Sequence, residues 1–148
     1  MRRRRKRMAL IGAVVLAFVV ISLLLARWLS LENAERNDIL AVLTAQARGD
    51  GDGMLAGLHG CEGRCRAIVL RDARTLRRHG TVLILADQST TAYSLTSRTG
   101  FTRVAWKVLG RLPVVQCVRV SRSGNALSGL TIRLLSVSAP INPTADCP

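Results

Sequence analysis

The chain has 148 residues, of which 22 are lysine or arginine and 9 are aspartate or glutamate, giving a formal net charge of +13. About half of this excess lies in the first 27 residues, and aromatic residues make up only 3% of the chain. The rest is therefore moderately basic and lacks the stacking side chains used to bind nucleic acid. The two histidines, His59 and His79, and the scattered acids form no carboxylate pair or nucleophile–base arrangement, which argues against an enzyme.

The N-terminal segment predicts a membrane anchor. Residues 2–7 are all cationic, and residues 8–26 are uninterrupted by any charge. A helix of that length spans about 28 Å, close to the hydrocarbon thickness of a bilayer. Because the cations precede the apolar run, the positive-inside rule places the N-terminus in the cytoplasm. We therefore predict a single-pass plasma-membrane protein with a cytoplasmic tail of residues 1–7, an anchor of residues 8–29 and an extracytoplasmic remainder.

A cleavable secretory signal is the alternative interpretation of this segment. Signal-peptide cores are typically about 7–15 residues long, and this run is longer. Leu24 stands where a cleavage site would need a small residue, and Trp28 suits the aromatic belt at a membrane surface. These features favour an anchor that is retained.

The four cysteines lie in the part predicted to be extracytoplasmic, where disulfides form and persist. Cys61, Cys65, Cys117 and Cys147 allow three complete pairings. The simplest is a local Cys61–Cys65 bridge and a Cys117–Cys147 bridge that tethers the tail of residues 139–148. His59 could join the first two cysteines as a metal ligand, but zinc sites usually have paired short-spaced ligands. We expect no metal and no cofactor.

Two helices are predicted directly after the anchor. Residues 30–47 form an amphipathic helix that continues from it and ends at Gly49. Asp52 is expected to cap a short second helix over residues 54–59. The apolar stripe of the first helix is formed by Leu31, Ala34, Ile39, Val42, Leu43 and Gln46 or Ala47.

A third helix is predicted over residues 64–79. Val69, Ala73 and Leu76 recur at helical spacing and are assigned to the core. A different face carries arginines that are either solvated or attract anionic lipid headgroups or an acidic partner. This basic docking face consists of Arg71, Arg74 and Arg78.

After Gly80 the spacing of the apolar residues is no longer that of a helix. The remaining chain predicts antiparallel strands joined by short turns. Turns are expected at residues 98–100, 110–113 and 123–125. Helices first and strands second predict an α+β fold in which two or three helices pack on a curved sheet of four or five antiparallel strands, within a domain of residues 30–138. The predicted strands are residues 81–86, 90–97, 101–109, 114–121 and 126–137.

The amphipathic helix after the anchor, the turn at Ala47-Arg48-Gly49-Asp50 and the terminal strands with Trp106 inside the sheet resemble a known superfamily. This is the cystatin-like roll of nuclear-transport-factor-two-like domains in its single-anchor extracytoplasmic form. Its membrane-anchored members include accessory proteins of actinobacterial lipid import and assembly factors of conjugation channels. The resemblance implies a scaffold that holds a ligand in a pocket or docks a partner through its sheet. Such domains often have a strand between the second and third helices, which residues 67–70 could form instead.

We expect a non-enzymatic accessory or interaction domain of the cell envelope, with the lipid bilayer and another envelope membrane protein as partners. The alternative is a domain that binds a small apolar ligand or lipid, and a small extracytoplasmic enzyme is the third hypothesis. An open cavity near the pocket residues would favour ligand binding, whereas a filled core with an exposed apolar patch would favour docking. The candidate pocket residues are Trp106, Tyr93, Val104 and Leu130.

Overall fold

The computed structural model describes residues 2–91, 96–125 and 129–148, with side chains at residues 6–8 and from residue 10 onward. Helices come first and an antiparallel sheet follows, which confirms the predicted α+β class. The helices are α1 (Arg2–Arg48), α2 (Gly51–Ala56) and α3 (Arg64–Thr75), and the strands are β1 (Val82–Ser89), β2 (Thr96–Val108), β3 (Val114–Asn125) and β4 (Gly129–Val137).

Helix α1 is continuous from the cationic terminus, through the apolar segment of residues 8–26, into the folded domain. Among the described residues it is the one helix long and apolar enough to cross a membrane, with a mean hydropathy of 3.0 in a window of which 0% is buried. The C-terminal part of the same helix packs in the core. A single rod therefore joins the exposed apolar segment to the domain.

The buried stripe of α1 differs from the predicted stripe at two neighbouring positions, one of them charged. Ile39, Val42 and Leu43 are at most 2% exposed, as predicted. Ala34 is exposed, whereas Glu35, which was not predicted, is 3% exposed. Residues 31, 35, 39, 42 and 46 follow one helical stripe, so position 35 faces the sheet, where a cation lies opposite it.

Helix α2 lies slightly earlier in the chain than predicted, and α3 begins at residue 64 as predicted but is shorter. Asp50, not Asp52, is the N-cap of α2, and its Oδ1 accepts a hydrogen bond from the backbone N–H of Gly53 at 2.8 Å. Helix α3 ends at Thr75 and not at residue 79. Residues 67–70 lie within α3, so the alternative strand at this position is wrong.

The four strands pair in the order β1-β2-β3-β4, and every pairing is antiparallel. The predicted alternation in β2 is confirmed, since Val104, Trp106 and Val108 are all at most 1% exposed. This face packs against the helices in one core cluster. Each of the three pairings contains a register irregularity, a feature that bends a strand and increases its twist.

The predicted turn at residues 98–100 is wrong, and of the strand predicted at residues 90–97 the first two residues form a turn while residues 96–97 belong to β2. Residues 98–100 are paired with β3 inside one long strand, with Gly100 opposite Val120. A Cβ at Gly100 would lie 2.3 Å from Thr90 Oγ1, so glycine is present because the chain passes closely here. Residues 92–95, which belong to the predicted strand, lie outside the described residues.

The predicted turn at residues 123–125 is also part of a strand. Gly124 pairs with Leu130, and Asn125 pairs with Gly129. A Cβ at Gly124 would lie 2.1 Å from the carbonyl oxygen of Gly129. The close approach of two strands and a φ of 109° both explain this glycine. The start of the predicted last strand, residues 126–128, lies outside the described residues.

All four cysteines are at disulfide distance in the predicted pairs, Cys61–Cys65 and Cys117–Cys147. The tail is held by more than Cys147, contrary to expectation. The N–H of Ser138 donates to Cys117 O, and a β-bridge joins Ile141 to Val115. The tail thus continues the edge of β3 that β4 leaves unpaired.

Candidate functional site

The interior around Trp106 is a filled core. Its side chain and that of Val104 are each 0% exposed. The indole Nε1 donates to Gln116 Oε1 at 2.8 Å, and Gln116 Nε2 donates to the carbonyl oxygen of Ser138 at 2.8 Å. A buried glutamine therefore satisfies the polar atom of the tryptophan.

The four predicted pocket residues do not meet at one place. Trp106 is paired with Val114 at the start of β3, whereas Leu130 is paired with Gly124 near its end. Ten residues of strand separate these positions by about 33 Å. Tyr93 lies outside the described residues. Leu130 lines a different groove, between α1 and the β3–β4 hairpin.

The predicted basic face of α3 contains two arginines and not three. Arg71 and Arg74 are exposed on the helix. Arg71 Nε lies 3.5 Å from Asp72 Oδ1. Arg78 follows the end of the helix at Thr75, so it does not share their face.

Arg78 instead joins three parts of the domain. Its backbone N–H donates to Ala47 O at 2.8 Å, at the C-terminal end of α1. Its Nη1 donates to Leu112 O at 2.6 Å. Its Cζ lies 5.6 Å from the ring centroid of Trp106, within the range of a cation–π contact. The arginine predicted to lie on the basic docking face of α3 therefore holds the loop between β2 and β3.

This loop, residues 109–113, forms the far end of the domain, which we define as the end beside the C-terminus of α1. Its turn is closed by a hydrogen bond from the N–H of Arg111 to Val108 O at 3.0 Å, with Gly110 at a φ of 77°. Leu109 is 79% exposed and Leu112 is 82% exposed. Two large apolar side chains therefore protrude from a loop that Arg78 holds in place.

The near end of the domain, next to the apolar segment, contains a buried ion pair. Arg122 Nη2 lies 2.7 Å from Glu35 Oε2, and their side chains are 1% and 5% exposed. Thr102 Oγ1 donates to the other carboxylate oxygen at 2.5 Å. These three residues, called the buried triad below, connect α1 to the sheet. They border a polar cleft of about 250 Å³ that is also lined by Glu32, Asn33, Arg36, Ile39, Asp87 and Ser89.

A second opening, called the hairpin groove, lies between α1 and the β3–β4 hairpin. It encloses about 200 Å³ and extends from the end of the apolar segment to the first turns of the domain. One wall is α1 and the other is the paired end of β3 and β4. The groove is lined by Leu24, Arg27, Trp28, Ser30, Leu31, Asn125, Gly129 and Leu130.

The titratable groups do not form an acid–base pair in the part of the chain that the structure describes. His59 and His79 are both exposed, and neither side chain has a hydrogen bond to a carboxylate there. Asp72 is 2% exposed and its Oδ2 has no hydrogen-bond partner. Desolvation raises the pKa of this carboxyl, and the neighbouring Arg71 opposes the rise. No group of three or more possible metal ligands occurs among the described residues.

The observed order, three helices followed by four antiparallel strands, agrees with the helices-first arrangement but has no strand between α2 and α3. The resemblance to cystatin-like domains stays a prediction. No protein-family model matches the chain, and neither a curated protein nor a solved structure shows significant similarity to it.

Proposed function

We propose that the chain is a non-enzymatic docking domain of the cell envelope, held by a single-pass anchor with its N-terminus in the cytoplasm. The exposed apolar segment at residues 8–26 and the cations before it support this orientation. Both disulfides lie after the segment, which is consistent with an oxidising extracytoplasmic space.

The observation that carries the docking proposal is the exposure of Leu109 and Leu112 on a fixed loop. Exposed leucines on a mobile loop would lose conformational entropy on binding. Here the turn hydrogen bond and the contact from Arg78 already hold the backbone. The two side chains are therefore preorganised to enter an apolar pocket of a partner.

The charge around the leucines indicates the chemistry of that partner. Arg111 lies between them in the loop and is exposed, and Arg78 lies beneath. An apolar pocket bordered by carboxylates would match both features. We assign the partner as another envelope membrane protein, because the anchor confines the domain to the membrane surface.

The length of α1 sets the distance at which the loop is presented. Residues 30–48 rise about 27 Å along the helix axis. The buried triad and the core contacts hold the sheet against this rod. The far end is thus kept at a fixed distance from the bilayer, as a docking platform requires.

A photocrosslinking amino acid at position 112 in intact cells tests the docking surface. We expect a discrete adduct with one envelope protein, weakened by Leu109→Ser and by Arg111→Glu. The matched control places the crosslinker at Leu85, an apolar side chain on edge strand β1 that is 51% exposed. Equal adducts from both positions, or an adduct unaffected by either substitution, would contradict docking through the loop.

Membrane extraction tests the anchor separately. We expect the full chain to remain in the membrane pellet after alkaline carbonate, with the domain digestible by protease added outside the cell. Recovery in the soluble extracellular pool, with a new N-terminus after residue 26, would show that the segment is a cleaved signal.

A further inference from the structure

We infer that the hairpin groove is a binding site for an anionic phospholipid of the outer leaflet. The inference rests on the proposed anchor, because the anchor places the groove at the bilayer surface. The site differs from the pocket predicted around Trp106 and from the docking loop. It lies at the opposite end of the sheet from both.

The position of the groove determines what can fill it. Leu24 belongs to the apolar segment, and Leu31 lies two turns later on α1, about 10 Å further along the axis. The headgroup layer of a leaflet is about 5–7 Å thick. The groove therefore extends from the hydrocarbon boundary through the headgroup layer, the depth occupied by the glycerol, ester and phosphate groups of a lipid.

The lining offers both apolar surface and a cation to those chemical groups. Leu24 offers an apolar surface to the upper part of an acyl chain. Leu31 of α1 and Leu130 of β4 also line the groove. Arg27 is exposed, and a long arginine side chain extends towards the headgroups while its aliphatic stem stays on the apolar surface. Its guanidinium binds phosphate oxygens in a geometry that lysine does not offer.

The charge of the side chains that line the groove indicates which class of phospholipid binds there. Arg27 is the one charged residue among the described residues that line it. An anionic headgroup such as phosphatidylglycerol is therefore favoured over zwitterionic phosphatidylcholine. One basic residue near an anionic membrane surface contributes about 1 kcal/mol, which corresponds to an approximately five-fold preference.

Fluorescence quenching by brominated lipids tests this site in the full chain. The protein has two tryptophans, and Trp106 is 0% exposed, so Trp106→Phe leaves Trp28 as the reporter in the groove. In mixed vesicles we expect brominated phosphatidylglycerol to quench Trp28 about five-fold more effectively than brominated phosphatidylcholine at equal mole fraction. Arg27→Gln should abolish the difference, whereas the control Arg111→Gln on the docking loop should preserve it.

The outcomes separate the lipid site from the anchor. Trp28 that neither brominated lipid quenches would overturn the anchor itself. Trp28 quenched equally by both lipids, or a preference that survives Arg27→Gln, would overturn the lipid site and leave the anchor standing. If Trp106→Phe prevents folding, native mass spectrometry of the chain with Trp106 intact, released from detergent, measures instead how much phosphatidylglycerol stays bound. Retained phosphatidylglycerol should then fall about five-fold on Arg27→Gln.

Discussion

Removing the charge of Glu35 should destabilise the domain by several kcal/mol. The Arg122 side chain is 1% exposed and would stay buried without its counter-ion in Glu35→Gln. Breaking a buried ion pair by removing one partner typically costs about 3–5 kcal/mol. We expect a loss in that range, although the glutamine keeps the size of the side chain and an acceptor for Thr102.

Replacing both charges should recover most of the loss. In Glu35→Met/Arg122→Met no unpaired charge remains, and apolar side chains of similar length fill the space. Arg71→Gln is the matched control. Its partner Asp72 lies 3.5 Å away, but the Arg71 side chain is 60% exposed, so the expected cost is about 0–1 kcal/mol.

Urea denaturation of the full chain in detergent micelles measures these differences, with the emission of Trp106 as the signal for the domain. The free energy of unfolding follows from the midpoint at an unchanged slope. A loss below about 1 kcal/mol in Glu35→Gln would mean that the pair behaves as an exposed one. A double variant as unstable as the sum of the two single variants would refute the argument that an unpaired charge causes the loss.

The two disulfides and Asp72 provide further predictions for the same assay. Cys117→Ser/Cys147→Ser should cost about 3.6 kcal/mol, because the bridge spans a sequence separation of 30, and Cys61→Ser/Cys65→Ser, with a separation of 4, about 2 kcal/mol; equal losses would contradict the loop-entropy argument. Burial raises the pKa of Asp72, so the folded state binds more protons than the unfolded state above the ordinary carboxyl pKa. Stability should therefore fall as pH rises from about 4 through the raised pKa, by about 1.4 kcal/mol per unit of difference. Asp72→Asn should remove this fall, and an identical pH profile in the variant would show that another group causes it.

The features that the sequence predicted correctly depend on the pattern of residues close together in the chain. The apolar run of residues 8–26, the helical stripe around Leu43 and the alternation around Trp106 are set by hydrophobic period alone. The cysteine pairs followed from proximity in the chain and from the expected oxidising compartment. None of these depends on knowing which distant segments meet.

The predicted strand boundaries were wrong at two glycines. A glycine in a sequence can indicate either a turn or a close approach of two chain segments. Gly100 and Gly124 were interpreted as turn residues, because glycine accepts backbone conformations that other residues avoid. In the structure each lies in a strand, where a Cβ would collide with a neighbouring segment, and only Gly124 also has a positive φ. A close approach depends on tertiary packing, so the sequence contained no signal to separate it from a turn.

The buried triad, the contacts of Arg78 and the exposed leucines were missed for a related reason. Glu35 and Arg122 are 87 residues apart in the chain, and each alone resembles a surface charge. Arg78 fits the spacing of the α3 arginines, yet α3 ends before it and the side chain turns to Leu112. Leu109 precedes the turn predicted at residues 110–113 and Leu112 lies within it, and only the packed structure distinguishes protruding leucines from buried ones.

The sequence by itself determined the apolar segment, the order of helices and strands and the cysteines available for pairing, because these depend on composition and short-range period. Tertiary structure decided which charges are buried, which leucines protrude and where the grooves lie, since each requires contact between distant segments. The continuous helix α1 contributes both to the features set by the sequence and to those set by tertiary structure. The helix that the sequence presents as an anchor carries, in its last turns, the core against which the sheet folds.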